Sequence, residues 1–572
     1  MNTELLQKRL GQRVGHSPRL AVMSVLVLLA GCGSGSRSVP QVPSITFRAQ
    51  ELPFRYDRGP SGKAWPVEPV GGGVGLLDYD RDGLLDLFFA QGVPLPVGRV
   101  PASEAPSDVL LRNLGGGRFE DVSKRVGLSS KGYGQGVAIA DYDSDGDPDV
   151  YVTRYQGNTL WRNDQGRFVD VTDSAGVRGG LWSLGAAFFD ADGDGDLDLF
   201  VANYFAFDPA RAPFEVDAET GEPGFGLPQA FPGQPDQLFL NAGQGRFQDE
   251  TERAGIAGRG RGMGVLASDF DNDGRTDIFV ANDAMANALW RNRGDGRFEE
   301  VAEAWGLAYN AEGVAEANMG IAWGDTDGDS WPDLLVTHFY NEHDTLWRAQ
   351  GLDSGRPFYL DSTREAGLAM ESRPMTGWGA AFADFDHDGD LDLIVANGHI
   401  RPEKAQTYRY ANPPLLWRNE GQGRFVNVSD TAGPFFQEWH QGRGLAVGDL
   451  DEDGDLDVVI VRHGAPAVVL WNQTPSRGHW LRLRLQGGDP GRDPIGARIT
   501  IRVADRTLVR TIDGGGSYLS SHDPRVHFGL GDNTSVPWVE VRWPSGRVET
   551  RKELATDRTI DWIEGREEDG DR

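Results

Sequence analysis

The sequence predicts an all-β protein, a seven-bladed β-propeller followed by a small β-sandwich or meander. Three observations carry that prediction. A nine-residue acidic stretch recurs seven times, and each copy sits in the same succession of short apolar runs. From about His479 the chain changes to simple alternation with no acidic stretch. Repetition of one supersecondary unit is the signature of a stacked or radial architecture.

The copies are "DYDRDGLLD" from Asp78, "DYDSDGDPD" from Asp141, "DADGDGDLD" from Asp190, "DFDNDGRTD" from Asp269, "DTDGDSWPD" from Asp325, "DFDHDGDLD" from Asp384 and "DLDEDGDLD" from Asp449. Their first aspartates are 49 to 79 residues apart. A Gly-rich apolar run such as "GQGVAIAD" or "GMGVLASD" precedes each copy, and a run such as "DVYVTR" or "DIFVAN" follows it. A third run carries "LWRN" and a fourth follows "GRF". Four short strands per unit make a propeller blade. The recurring Gly-x-Gly pairs open no helix, so crowding on the innermost strand explains them better than a dinucleotide fingerprint. The seventh unit lacks its "GRF" run after "VVLWNQ", and Ser44–Leu52 is placed to supply the missing outer strand and close the ring.

Length and charge bound the rest. The chain has 572 residues and a formal net charge of −30, which argues against nucleic acid as a partner. Its one cysteine, Cys32, excludes an intrachain disulfide. Lys8, Arg9, Arg13 and Arg19 precede the apolar run "LAVMSVLVLLAG", which ends at that cysteine and is too short to span a bilayer. "LAGC" resembles a bacterial lipobox, with Cys32 as the lipidated residue. The expected organisation is a signal peptide over 1–31, a flexible tether over 32–43, the propeller over 44–475, a second domain over 476–552 and an acidic tail over 553–572. The expected location is exported and lipid-anchored, at a bacterial outer membrane, periplasm or cell surface.

Positions 1, 3, 5 and 9 of every acidic stretch are aspartate: Asp78, Asp80, Asp82 and Asp86; Asp141, Asp143, Asp145 and Asp149; Asp190, Asp192, Asp194 and Asp198; Asp269, Asp271, Asp273 and Asp277; Asp325, Asp327, Asp329 and Asp333; Asp384, Asp386, Asp388 and Asp392; Asp449, Asp451, Asp453 and Asp457. Position 6 is glycine except at Ser330. Hard Ca²⁺ takes six to eight oxygens, and alternate residues around a tight turn offer them. Position 7 is expected to give a backbone carbonyl, from Leu84, Asp147, Asp196, Arg275, Trp331, Asp390 and Asp455, leaving the Asp147 carboxylate free. About seven Ca²⁺ sites are expected, with Mg²⁺ the runner-up. Left without a cation, such clusters repel.

These units resemble FG-GAP (VCBS) repeats, the calcium-loop blades of integrin α-subunit propellers. "IGARITI", "GGGSYLSSHDPRVHFGLG" and "VEVRWPSGRV" resemble the ASPIC/UnbV domain. The combination resembles bacterial relatives of cartilage acidic protein 1. That resemblance implies a binding or adhesion module for a protein or glycan.

Five residues beyond each position-9 aspartate stand Gln91, Arg154, Asn203, Asn282, His338, Asn397 and Arg462, expected as a polar ring on the face opposite the loops. Insertions over 91–107, 205–235 and 399–414 fall on that face, where binding function concentrates. An alternative is a calcium-dependent polysaccharide lyase, with His338, His343, His399 and Arg462 as candidates on the same face. The arginines of the C-terminal strands are expected as a solvated face, an intramolecular dock against the acidic propeller, or a seat for an anionic ligand.

Overall fold

A computed structural model describes residues 44–566 except 102, 212–214, 217–220, 222, 225, 257, 351–356, 401–410, 476–477 and 489–491. The expected signal segment, Cys32 and most of the third insertion lie outside the described residues.

Short β-branched and aromatic runs bounded by Gly, Asp and Asn form strands because each can bury both faces between neighbouring sheets. Each of the seven repeat units occupies one antiparallel sheet, with strands paired in sequence order. Blade one, for example, runs Val74–Leu77, Asp86–Phe89, Val109–Asn113 and Phe119–Asp121. The first strands of blades one to seven touch in sequence, and that of blade seven (Gly442–Gly448) touches that of blade one again. This closed cycle of sheets is a β-propeller. Crowding on the inner strands accounts for the Gly-x-Gly pairs: a Cβ on Gly264 of "GMG" would stand 2.4 Å from the Met319 carbonyl oxygen beside the next blade.

Blade seven takes its outer strand from the other end of the chain. Phe47–Glu51 pairs antiparallel with Val468–Asn472, in the register Phe47 to Asn472 and Glu51 to Val468. The Phe47 ring packs edge-on against Phe385, 5.3 Å between centroids.

The C-terminal domain is a sandwich. His479–Gln486 lies between Val526–Gly531 and Arg558–Ile563, and a second sheet orders Arg506–Thr511, Arg498–Val503, Ser535–Arg542 and Val548–Ala555. Leu483, Ile501, Phe528, Val539 and Trp562 are among the residues of its core. This corrects the boundary at 552. Arg558–Ile563, set apart as tail, pairs in parallel with His479–Gln486 and buries Trp562. The acidic residues around this strand hid its short apolar pattern.

The two domains interpenetrate. The segment Gly514–Asp523 leaves the sandwich and runs down the propeller axis. Gly514 and Gly515 pair with Ala267 and Leu266 on the inner strand of blade four. Ser517 exchanges backbone hydrogen bonds with Ile321 of blade five, and the Val137 amide of blade two donates to Leu519. Ser521 bonds Val74 and Leu76 of blade one, and the Asp523 amide donates to Val447 of blade seven. Tyr518 packs on Trp378 of blade six at 4.9 Å. A Cβ on Gly514 would meet the Phe188 carbonyl oxygen of blade three at 2.2 Å, so glycine is required for this close approach. At the far end of the axis the Tyr518 hydroxyl donates to the Val70 carbonyl at 2.8 Å. The segment leading to Val70 is itself tied down, with Tyr56 donating to Gly134 and Arg443 to Pro69.

Candidate metal centres

Each acidic loop folds by the same local hydrogen bonds. The position-1 carboxylate accepts the position-6 amide at 2.7–3.0 Å in all seven loops. Position 5 accepts the position-7 amide at 2.8–3.0 Å. Position 9, at the start of the second strand, accepts the position-2 amide at 2.7–3.2 Å. Ser330, the one residue other than glycine at position 6, still adopts φ 74° and so keeps the turn. That costs it on the order of 1 kcal/mol relative to glycine.

These bonds turn carboxylate oxygens toward one point. One oxygen each from Asp78, Asp80 and Asp86 lies within 4.8 Å of the others, as do those of Asp141, Asp143 and Asp149. Positions 1, 3 and 5 converge likewise in blades three, four and five. Burial pushes Asp86 and Asp198 up to about 8 despite the amides they accept, and drives Asp149, Asp277, Asp333, Asp392 and Asp457 well above the carboxylate range. Oδ1 of Asp80, Asp143, Asp271, Asp384, Asp386 and Asp449 is buried with no hydrogen-bond donor. Buried acceptors without donors are rare in folded proteins. Converging, unpartnered carboxylate oxygens fit a hard cation, so several of these clusters can hold a metal ion.

The loops are also tied to one another, a role the sequence reading did not assign. The asparagine that ends the third strand of every blade but the fifth, in "LWRN" in blades two, four and six, donates its amide to position 9 of its own blade at 2.7–2.9 Å. Its side chain donates to the position-2 carbonyl of the preceding blade: Asn163 to Tyr79, Asn241 to Tyr142, Asn292 to Ala191, Asn419 to Thr326, Asn472 to Phe385 and Asn113 to Leu450. The recurrence of that asparagine was the available signal. Asp147 differs from expectation: its carboxylate is not free. It pairs with Arg81 of the neighbouring loop at 3.0 Å and accepts the Gln165 amide.

The arginines of the C-terminal domain dock on this face. Arg542 donates to Asp269 and Asn272, Arg498 to the Ser330 carbonyl, Arg506 to the Asp388 carbonyl, and Arg482 pairs with Asp449 and Glu452. Of the three readings of the basic patch, the intramolecular dock is the observed one. A cavity of about 870 Å³ remains between the domains, bordered by Asp78, Asp141, Asp325, Asp384, Arg510 and His522.

The expected polar ring is not an exposed surface. Gln91, Arg154, Asn203, Asn282, His338, Asn397 and Arg462 are all buried. Gln91 accepts the Asp57 amide, Asn203 donates to Pro235, Asn282 to Ala286 and Asn397 to Pro413. Arg154 pairs with buried Asp108, and Arg462 with Glu51. Strand ends leave backbone groups that need partners once insertions and the N-terminal segment cover them, and six of these side chains, all but His338, bond backbone groups at the strand ends and the turns around them. Of the lyase candidates, His338 and His343 share a cluster with Glu316 and Glu342. His399 packs at a tilt against Phe339, and Arg462 lies beside His440.

The FG-GAP-like repeat profile matches residues 78–152, 141–201, 230–280, 269–336 and 406–460, and the ASPIC and UnbV profile matches residues 487–569. The chain is similar to cartilage acidic protein 1 of Xenopus tropicalis, 27% identical over 309 residues, which is 51% of this chain and 43% of that protein. It is likewise 27% identical to cartilage acidic protein 1 of Homo sapiens over 325 residues, 55% of this chain and 46% of that protein. The matched stretch thus spans under half the length of these relatives. Among solved structures, a lectin from Agrocybe aegerita that recognises non-reducing terminal N-acetylglucosamine aligns with TM-score 0.36 and 16% identity, over 64% of this chain and 82% of that one. YCF48 bound to D1 peptide aligns with TM-score 0.38 and 8% identity, over 76% and 99%.

Proposed function

Because the chain belongs to the FG-GAP-like repeat family and ends in an ASPIC and UnbV domain, we propose that it is a calcium-dependent binding module. It engages a protein or glycan through the propeller face opposite the metal loops. The observation that carries this reading is the docked C-terminal domain, which covers the loop face and fills the axis. The face left for a partner is the one bearing the insertions after the second strands of blades one and three. Val97 and Leu227 on those insertions are exposed.

Calcium is the metal this reading uses, because the loops offer only oxygen ligands on a flexible turn. When bound, the ions neutralise the carboxylates. The aspartates and the asparagines behind them then hold the blades in register and present the opposite face as a rigid surface. Export and attachment through Cys32 complete the proposal and rest on the lipobox-like "LAGC".

A glycan and surface-protein array probed with purified protein tests the reading. Binding is expected in Ca²⁺ and lost in chelator. It is also expected to be lost when residues 97–106 and 208–228 are replaced by Gly-Ser linkers. A ligand that binds equally after both replacements would overturn the assignment of the face. A Cys32→Ala variant that still partitions with membranes would overturn the anchor.

A further inference from the structure

Blade five carries a second, chemically different cluster on the face opposite the acidic loops. Its second strand, Asp333–Val336, continues into Thr337 and His338, and the turn over 339–344 brings Glu342 and His343 back beside them. Glu316 enters from the segment before the first strand, Ile321–Gly324. His338 is 1% exposed and Glu316 5%. Neither ring nitrogen of His338 makes a well-formed hydrogen bond, although the Ala317 backbone lies close to the ring.

The spacing within the cluster is informative. His338 Nε2 stands 3.5 Å from Glu316 Oε2 and makes no hydrogen bond to it. Two ligand atoms each ~2.0–2.1 Å from a tetrahedral ion stand roughly 3.3 Å apart, close to that separation. Both carboxylates are held by neighbours in the manner of metal ligands. Thr345 Oγ1 donates to Glu316 Oε2 at 3.2 Å, and the Ala317 amide donates to Glu342 Oε2 at 3.0 Å. Burial raises the pKa of Glu316 and Glu342 and lowers that of His338 to about 4, so the imidazole is neutral and keeps a lone pair for a ligand.

We propose that His338, Glu316, Glu342 and His343 form a site for a first-row divalent transition metal, with Zn²⁺ the best match. Imidazole nitrogen combined with carboxylate oxygen suits such an ion, whereas hard Ca²⁺ is served by the all-oxygen loops. The chain then sorts two classes of cation onto opposite faces of one propeller. The ion takes the lone pair of one nitrogen of a buried histidine, Nε2, and offsets the charge of the two carboxylates beside it. Thr345 and the Ala317 amide are positioning groups that orient the carboxylates.

The test uses untagged protein in excess Ca²⁺, which keeps the aspartate loops filled, titrated with Co²⁺. One equivalent is expected to develop the strong visible absorption of four-coordinate Co²⁺, which six- to eight-coordinate oxygen loops do not give, and Zn²⁺ should bleach it. His338→Ala should abolish the band. His343→Ala, in a half-exposed turn, should weaken Co²⁺ binding by about 10-fold or more. No band at saturating Co²⁺ overturns the proposal, and so does a band that survives His338→Ala. If His338→Ala does not fold, an unchanged Co²⁺ affinity in His343→Ala overturns it alone.

Discussion

The Tyr359 hydroxyl donates to the Phe270 carbonyl at 3.1 Å, joining the fourth strand of blade five to the acidic loop of blade four. Elsewhere around the ring that position-2 carbonyl is bonded by the asparagine that ends a third strand. Blade five reads "LWRA" and has Ala349 instead. A residue from a different strand therefore completes the cycle of interblade bonds. Burial holds the Tyr359 phenol far above its usual range, so it remains a donor. Tyr359→Phe should leave the buried carbonyl unsatisfied at a cost of ~1–3 kcal/mol. The readout is a lower thermal midpoint in Ca²⁺, and an unchanged midpoint would show that the bond carries no weight.

Metal removal should make stability depend on pH in a definite direction. In the metal-free fold burial pushes Asp86 and Asp198 up to about 8, against the ordinary aspartate value of 3.8. A carboxylate raised on folding favours the fold below the unfolded pKa, and that contribution is lost as pH rises through the folded value. In chelator the melting temperature should therefore fall between about pH 4 and pH 8. Ca²⁺ should raise it most at the alkaline end. Adding Ca²⁺ to weakly buffered, metal-free protein at pH 7 should release protons, because ion and proton compete for the same oxygens. A chelator series that is flat across this range, with no proton release, would sink the metal reading of the loops.

Tyr518 joins the two domains at the axis, packing on Trp378 and bonding Val70. Tyr518→Ala should open a cavity among buried aromatics, at about 3–5 kcal/mol. The C-terminal sandwich should then become separately susceptible to limited proteolysis. Retention of one protease-resistant body with a wild-type midpoint would contradict the axial role.

His440 gives an acid-side signature. Its ring stacks on Phe435 at 4.0 Å and faces the Arg462 guanidinium at 3.3 Å. Burial first, then Arg462, lowers its pKa to about 4. The unfolded chain takes up this proton near 6.5, so the fold loses the contribution as pH falls from about 6.5 to 4. At 1.36 kcal/mol per unit the loss is on the order of 3 kcal/mol. His440→Gln should flatten the melting profile over that interval in Ca²⁺, and an unchanged slope would rule this residue out as the source.

The acidic clusters were legible because a loop that folds on its own backbone amides and alternate side chains is local. Asp141, Asp143 and Asp149 lie within nine residues, and their spacing brings one oxygen of each within 4.8 Å of the others. The outer strand Phe47–Glu51 could be placed by counting strands, since one unit was short by one. Whether the polar ring caps strand ends or meets a ligand could not be read, because position at a strand end is local, whereas exposure depends on what covers it. Distant segments supply that cover, and they turn Arg154 toward Asp108 and Arg462 toward Glu51.

By itself the sequence determined the repeat, the all-β class, the acidic loops and the change of pattern near His479. Each follows from periodicity or from spacing within one unit. Only the tertiary structure decided where the second domain goes. Gly514–Asp523 reaches inner strands from residue 74 to residue 447, and the fit depends on carbonyls such as that of Phe188, more than 300 residues away in the chain. The same holds for Glu316, His338 and His343, which are ordinary residues in the sequence and become one cluster when a turn folds back over a strand. Contacts between segments distant in sequence have no period to read, so packing alone determines them.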